Sequence, residues 1–102
     1  MSYLYAADLS SLAEDDAHPV DLQGLQLALY LVEGRVYATS NICTHQKVLL
    51  SDGFMEDGCI ECPLHAGRFD VRTGAALCEP ATQPLKVFPV RIEDNRVMVD
   101  VG

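Results

Sequence analysis

The residues that most restrict this chain are Cys43-Thr44-His45 and, after sixteen intervening residues, Cys62-Pro63-Leu64-His65. Each segment offers one thiolate and one imidazole, so a fold that uses them together must bring two separate bends to one point. A Cys2His2 zinc finger instead keeps its cysteines in one segment and its histidines in another, spaced C-x2-4-C and H-x3-5-H. The order here is different. One Cys and one His from each of two loops suit a binuclear centre, in which two soft thiolates hold one iron and two imidazoles hold its partner across bridging sulfides. The spacing points to a mixed-ligand [2Fe-2S] cluster, with a zinc-binding pair of hairpins as the competing reading.

The rest of the chain must hold those bends, and its rhythm is that of β-structure. Turn signals recur at intervals of roughly eight to twelve residues, as in all-β domains. Leu25, Leu27, Leu29 and Leu31 share one parity, as do Phe88, Val90 and Ile92, and again Val97, Val99 and Val101. Alternation of this kind is that of strands, whose side chains point to opposite faces in turn. Glu33-Gly34 and Asp94-Asn95 stand where tight turns would join residues 25–32 to 35–39 and 87–93 to 96–101, which predicts two hairpins. A further strand is expected near residues 19–23, while residues 9–16 read as a short helical turn or a plain loop. Between Asn41 and Pro84 the chain is denser in Gly, Pro, Cys and His, and strand candidates shrink to residues 54–55, 59–61 and 68–71. Chemistry belongs there.

A chain of 102 residues can bury one core but not a second domain with its own active site. Fifteen acidic against seven basic residues give a formal net charge of -8, which repels phosphate backbones and anionic headgroups alike. Nucleic acid and membrane surfaces are therefore excluded as expected partners. The longest apolar run, residues 27–32, is six residues, against the roughly 20 that a membrane helix needs. The first residues lack both a basic segment and a sustained apolar stretch, so the expected compartment is the cytosol. In a reducing compartment four cysteines serve as ligands, redox groups or core fillers sooner than as a disulfide framework.

C-x-H followed by C-x2-H, with Pro63 inside the second box, resembles the Rieske iron–sulfur family. The likeness extends through Leu50-Ser51-Asp52-Gly53, Ala66-Gly67-Arg68-Phe69-Asp70, Thr73-Gly74 and Pro84-Leu85-Lys86-Val87-Phe88-Pro89-Val90. From Tyr30 onward the order is similar to the small Rieske ferredoxins of multicomponent aromatic-ring dioxygenase systems. The resemblance implies one all-β domain over residues 1–102, made of small antiparallel sheets, with a cluster-binding part at one tip over about residues 41–84. It also implies that Cys43 and Cys62 bind an inner iron, and His45 and His65 an outer iron near the surface. The segment Glu79-Pro80-Ala81-Thr82-Gln83-Pro84 resembles the family's proline-containing cover over the cluster. Two prolines with fixed φ would stiffen it and keep water off the sulfides.

Members with high reduction potential carry an extra disulfide-bonded Cys in each box and a Ser and a Tyr that donate to the cluster. Here the matching positions hold Val48, Leu64, Gly67 and Phe69. A donor to sulfur favours the more negative, reduced state, and each hydroxyl is worth about 40–65 mV for one electron. The expected potential thus lies toward the lower end of the Rieske range of roughly -150 to +300 mV. The double substitution Gly67→Ser with Phe69→Tyr is expected to raise the midpoint potential, which voltammetry measures; an unchanged or lower value would refute this account of the two positions.

The implied function is one-electron transfer from an NAD(P)H-dependent flavoprotein ferredoxin reductase to a terminal ring-hydroxylating oxygenase, by a monomer that docks transiently. Only three histidines are present, His18, His45 and His65. Once two hold the cluster, the chain cannot build the two-histidine, one-carboxylate iron site of an oxygenase. His18, beside Asp15 and Asp16, is expected to be a solvated surface residue. Cys59 and Cys78 do not match ligand positions and read as core fillers, a mutual disulfide being the lesser reading. Lys47 departs from the small residues common after the first histidine; it tunes the cluster, shapes the docking surface, or is simply solvated. Other readings are the small subunit of an assimilatory nitrite reductase and, in another class, a colourless zinc-stabilised interaction module. With basic partners, the acidic surface would speed encounter, so transfer rates are expected to fall as salt rises. Salt-independent stopped-flow reduction would leave the acidity with solubility alone.

Overall fold

The apolar run of residues 27–32 becomes the centre of the molecule, because both of its faces are covered. This is seen in the computed structural model, which describes residues 3–42, 48–63, 67–78 and 83–102. The strands are β1 (Tyr3–Asp8), β2 (Ala17–Leu22), β3 (Leu25–Val32), β4 (Arg35–Ser40), β5 (Phe54–Glu56), β6 (Cys59–Glu61), β7 (Arg68–Asp70), β8 (Ala76–Cys78), β9 (Val87–Phe88), β10 (Val90–Glu93) and β11 (Arg96–Asp100). They form three antiparallel sheets, ordered β1-β11-β10, β2-β3-β4-β9 and β5-β6-β7-β8. No α-helix occurs among the described residues, in accord with the all-β expectation.

From β3, Leu27 and Leu29 point into one core with Ala7, Leu22, Ala38, Val97 and Val99. Ala28, Tyr30 and Val32 point into a second core with Leu50, Ile60, Cys62, Phe69, Val71 and Leu85. A strand buried on both sides needs apolar residues at every position, which is why the run shows no polar alternation. The first core is closed by β1 and β11, and the second by the small sheet that flanks the bends. Tyr30 is fully buried in the second core, and its hydroxyl shares a 2.9 Å hydrogen bond with Thr39 Oγ1. Burial pushes that hydroxyl up to about 12, the Thr39 bond acting more weakly the other way.

Hairpin chemistry follows the turn residues. Gln23-Gly24, Glu33-Gly34 and Asp57-Gly58 each hold positive φ at both positions, the requirement of a tight two-residue connection. Asp94, at φ 58, opens the turn between β10 and β11. The other expected hairpin needs correction. Residues 87–93 are not one strand: Val87 and Phe88 pair with β4, whereas Val90–Glu93 pairs with β11 in a different sheet. Pro89 makes the crossing, since it has no N–H to give to a ladder and offers only its carbonyl, which Asp100 N–H takes at 3.0 Å. Residues 9–16 contain a single 3-10 turn, Leu9–Ser11. Strands β1 and β8 go beyond the strands that periodicity predicts. In β1 a register shift between Tyr5 and Ala7 breaks the alternation by which a strand is recognised.

Candidate metal centre

Of the four expected ligand positions the structure describes Cys62. Cys43, His45 and His65 lie outside the described residues, as do Lys47, Leu64 and residues 79–82 of the proline segment. The first bend leaves β4 at Asn41 and returns at Leu50, its ends joined by an antiparallel bridge between Ile42 and Leu49. Asn41 is fully buried. Its backbone N–H donates to Gln26 O (2.8 Å), and its backbone O accepts from Leu50 N–H (2.8 Å). Its side chain accepts from Ser51 N–H (2.8 Å) and donates to Ser51 Oγ (2.9 Å). A 3-10 turn over Leu50–Asp52 then drives Leu50 into the second core.

The second bend sits between β6 and β7, whose pairs are Cys59 with Asp70, Ile60 with Phe69 and Glu61 with Arg68. Cys62 is 1% exposed, and its N–H donates to Gly67 O at 2.7 Å, closing the mouth of that bend. The two bends are in register through Gly53. A side chain there would run into the carbonyl oxygen of Glu61, the residue before Cys62, so only glycine lets the return from the first bend lie flat on the entry to the second. Ile60 and Phe69 point from the same hairpin into the core that also holds Leu50 and Cys62, with Val48 packed against it. The arrangement places one thiol in a dry, closed bend directly beside another closed bend. This donor fits a metal that prefers soft sulfur on its buried side.

Cys59 is a correction. It is half-buried rather than in either core, carries a free thiol, and lies on the outer face of β6, where its Sγ approaches Asp57 O at 3.8 Å. Its neighbour Ile60 takes the inward position. The disulfide reading falls, because the Cys59 thiol is free and β7 runs between β6 and β8; the side chain of Cys78 lies outside the described residues. Two strand spacings are about 10 Å, beyond the roughly 7 Å limit for a bridged pair of Cα atoms. His18 is half-buried on β2, opposite Leu29, rather than freely solvated. Ion pairs among the described residues are Arg68–Glu56 (4.0 Å), Arg72–Glu33 (3.4 Å) and Arg91–Glu93 (3.5 Å). All are solvent-exposed and add little stability. Asn41 carries no local sequence signal, and although Ser51 and Gly53 fall in the family-like stretch Leu50-Ser51-Asp52-Gly53, nothing in that stretch discloses their contacts with Asn41 and Glu61.

Comparison with known families decides the nature of the centre. The Rieske [2Fe-2S] domain matches residues 2–89. The chain belongs to the Rieske [2Fe-2S] family. A Rieske domain's cofactor is a single [2Fe-2S] cluster, so the zinc-stabilised reading falls. The ferredoxin component of the naphthalene 1,2-dioxygenase system of Pseudomonas putida is 52% identical over 102 residues, covering 100% of this chain and 98% of its own. Among solved structures, the ferredoxin of Sphingomonas yanoikuyae B1 superposes with a TM-score of 0.94 at 38% identity, covering 99% of this chain and 100% of its own. A ferredoxin–oxygenase complex of carbazole 1,9a-dioxygenase contains a chain that superposes with a TM-score of 0.90 at 37% identity, covering 95% of this chain and 91% of that one. Of the positions matched to the extra Cys and the hydroxyl donors, Phe69 is buried in the second core and Val48 packs against it. No described helix is long and apolar enough to cross a membrane.

Proposed function

We propose that this Rieske protein is the ferredoxin component of an aromatic-ring dioxygenase system, carrying single electrons from a flavoprotein reductase to a terminal oxygenase. The observation that carries the reading is the likeness to a dioxygenase ferredoxin over nearly the whole of both chains. In this reading Cys43 and Cys62 hold the inner iron and His45 and His65 the outer one, within a cluster-binding part of about residues 41–84 in one domain. The burial of Cys62 supports the inner assignment. When bound, the cluster supplies reversible one-electron chemistry. The protein's own residues then do three things. Leu50, Ile60 and Phe69 keep water from the thiolate side. The absence of hydroxyls at positions 67 and 69 keeps the potential low enough to be filled from a flavin. The net charge of -8 steers the carrier to basic partner surfaces without holding it there. A cytosolic monomer that docks transiently completes the proposal.

The test is iron and acid-labile sulfide content of anaerobically isolated protein, with the reduced-state EPR spectrum. Equal iron and sulfide with a mixed-ligand spectrum is the expected result; zinc without sulfide, or all-thiolate coordination, overturns it.

A further inference from the structure

Asn41 is a fully buried polar side chain with no place in the hydrophobic cores, and its carboxamide spends both ends on one residue, Ser51. A buried amide is costly unless its hydrogen bonds are made. These bonds do not hold a sheet together, since the β2-β3-β4-β9 sheet ends at Ser40 on this strand. What they span is the mouth of the first bend, which leaves at Asn41 and has returned by Ser51, ten positions on. Beside them lie only the Ile42–Leu49 bridge and the bond from Leu50 N–H to Asn41 O, among the described residues. The Asn41–Ser51 bonds thus tie the two described ends of the bend to each other through a buried side chain.

We propose that the Asn41 carboxamide, closed on Ser51, is a latch across the first bend and acts as a positioning residue that sets how long the cluster is retained. The inference rests on the ligand assignment proposed above, in which Cys43 and His45 lie on that bend. The carboxamide suits the task because it meets both a backbone donor and a side-chain acceptor of Ser51, so it fixes position and orientation together. Ser51→Ala removes the bond to Nδ2 and leaves the one to Oδ1, while Asn41→Leu removes both.

The experiment follows loss of visible absorbance from holo-protein in excess iron chelator, together with the EPR line shape of the reduced cluster. Ser51→Ala is expected to shorten the cluster's half-life about tenfold, the worth of one hydrogen bond, and to broaden the EPR lines. Asn41→Leu is expected to shorten it further, and the double variant no more than Asn41→Leu alone, as for groups acting as a unit. Tyr30→Phe is the comparison: Tyr30 shares the second core with Leu50 and Cys62, but the hydroxyl it loses bonds Thr39 on β4 and neither Asn41 nor Ser51. Its half-life should match the wild type. Equal shortening in Tyr30→Phe and Ser51→Ala assigns the effect to general stability and overturns the latch, as does an unchanged half-life in Ser51→Ala. A wild-type protein with no cluster at all overturns instead the functional reading on which the latch depends.

Discussion

Replacing Gly53 by alanine is expected to destabilise the protein by about 3 kcal/mol and to lower its melting temperature by more than about 10 °C. The cause is space alone. Gly53 has φ -94, a value open to every residue, so no conformational preference is violated. A methyl group there meets the Glu61 carbonyl oxygen, with the Glu61 carbonyl carbon at 3.0 Å and Leu50 O at 3.2 Å. All three are backbone atoms, which cannot turn aside as the end of a flexible side chain can. Relief requires the return from the first bend to lift off β6, and Glu61 carries Cys62 with it. Cluster content should therefore fall with the melting temperature. Gly24→Ala provides the contrast: Gly24 has φ +88 and nothing within 4 Å of the place a methyl would take, so only the left-handed backbone is penalised, by about 1 kcal/mol. Differential scanning calorimetry of both variants decides the matter. Equal melting of Gly53→Ala and wild type would mean that the two bends are not braced against each other.

Cys62→Ala is expected to remove the cluster altogether while costing the apo-protein only about 1–2 kcal/mol, the scale of trimming one small buried side chain. The large effect arises because cluster binding contributes directly to folding free energy. Holo-protein chemistry vanishes even though Ile60, Phe69 and Leu50 still form their core. Cys59→Ala, only three positions away, is expected to leave iron and sulfide unchanged, because Cys59 stands on the outer face of β6. Metal analysis and the visible spectrum of the two variants separate them. Near-normal iron in Cys62→Ala would remove Cys62 from the ligand set.

These residues also mark how far the amino-acid order alone discloses the fold. The family, through its Cys/His boxes, and the hairpin at Glu33-Gly34 are legible because each shows as a local pattern. Strand β3 is legible as a strand, but its burial on both faces shows only as an unbroken apolar run. Cys59 misleads because frequency of burial says nothing of which face of a three-residue strand a thiol takes; Ile60 holds the inward place. Pro89 stands in plain view inside an apparent strand, and its missing N–H is what splits that strand between two sheets. Asn41, Ser51 and Gly53 are opaque for a different reason. Their roles exist only once segments far apart along the chain have come together.

The pairing of β1 with β11 sets Tyr3 beside Asp100. In its sheet β1 touches no strand but β11, whereas β5 to β8 form a meander of immediate neighbours. On a translating ribosome the meander has all its partners before β11 has been made. The wall of the other core waits until β11 has been made. Nascent chains stalled short of β11 would then hold the completed meander on an unfinished base.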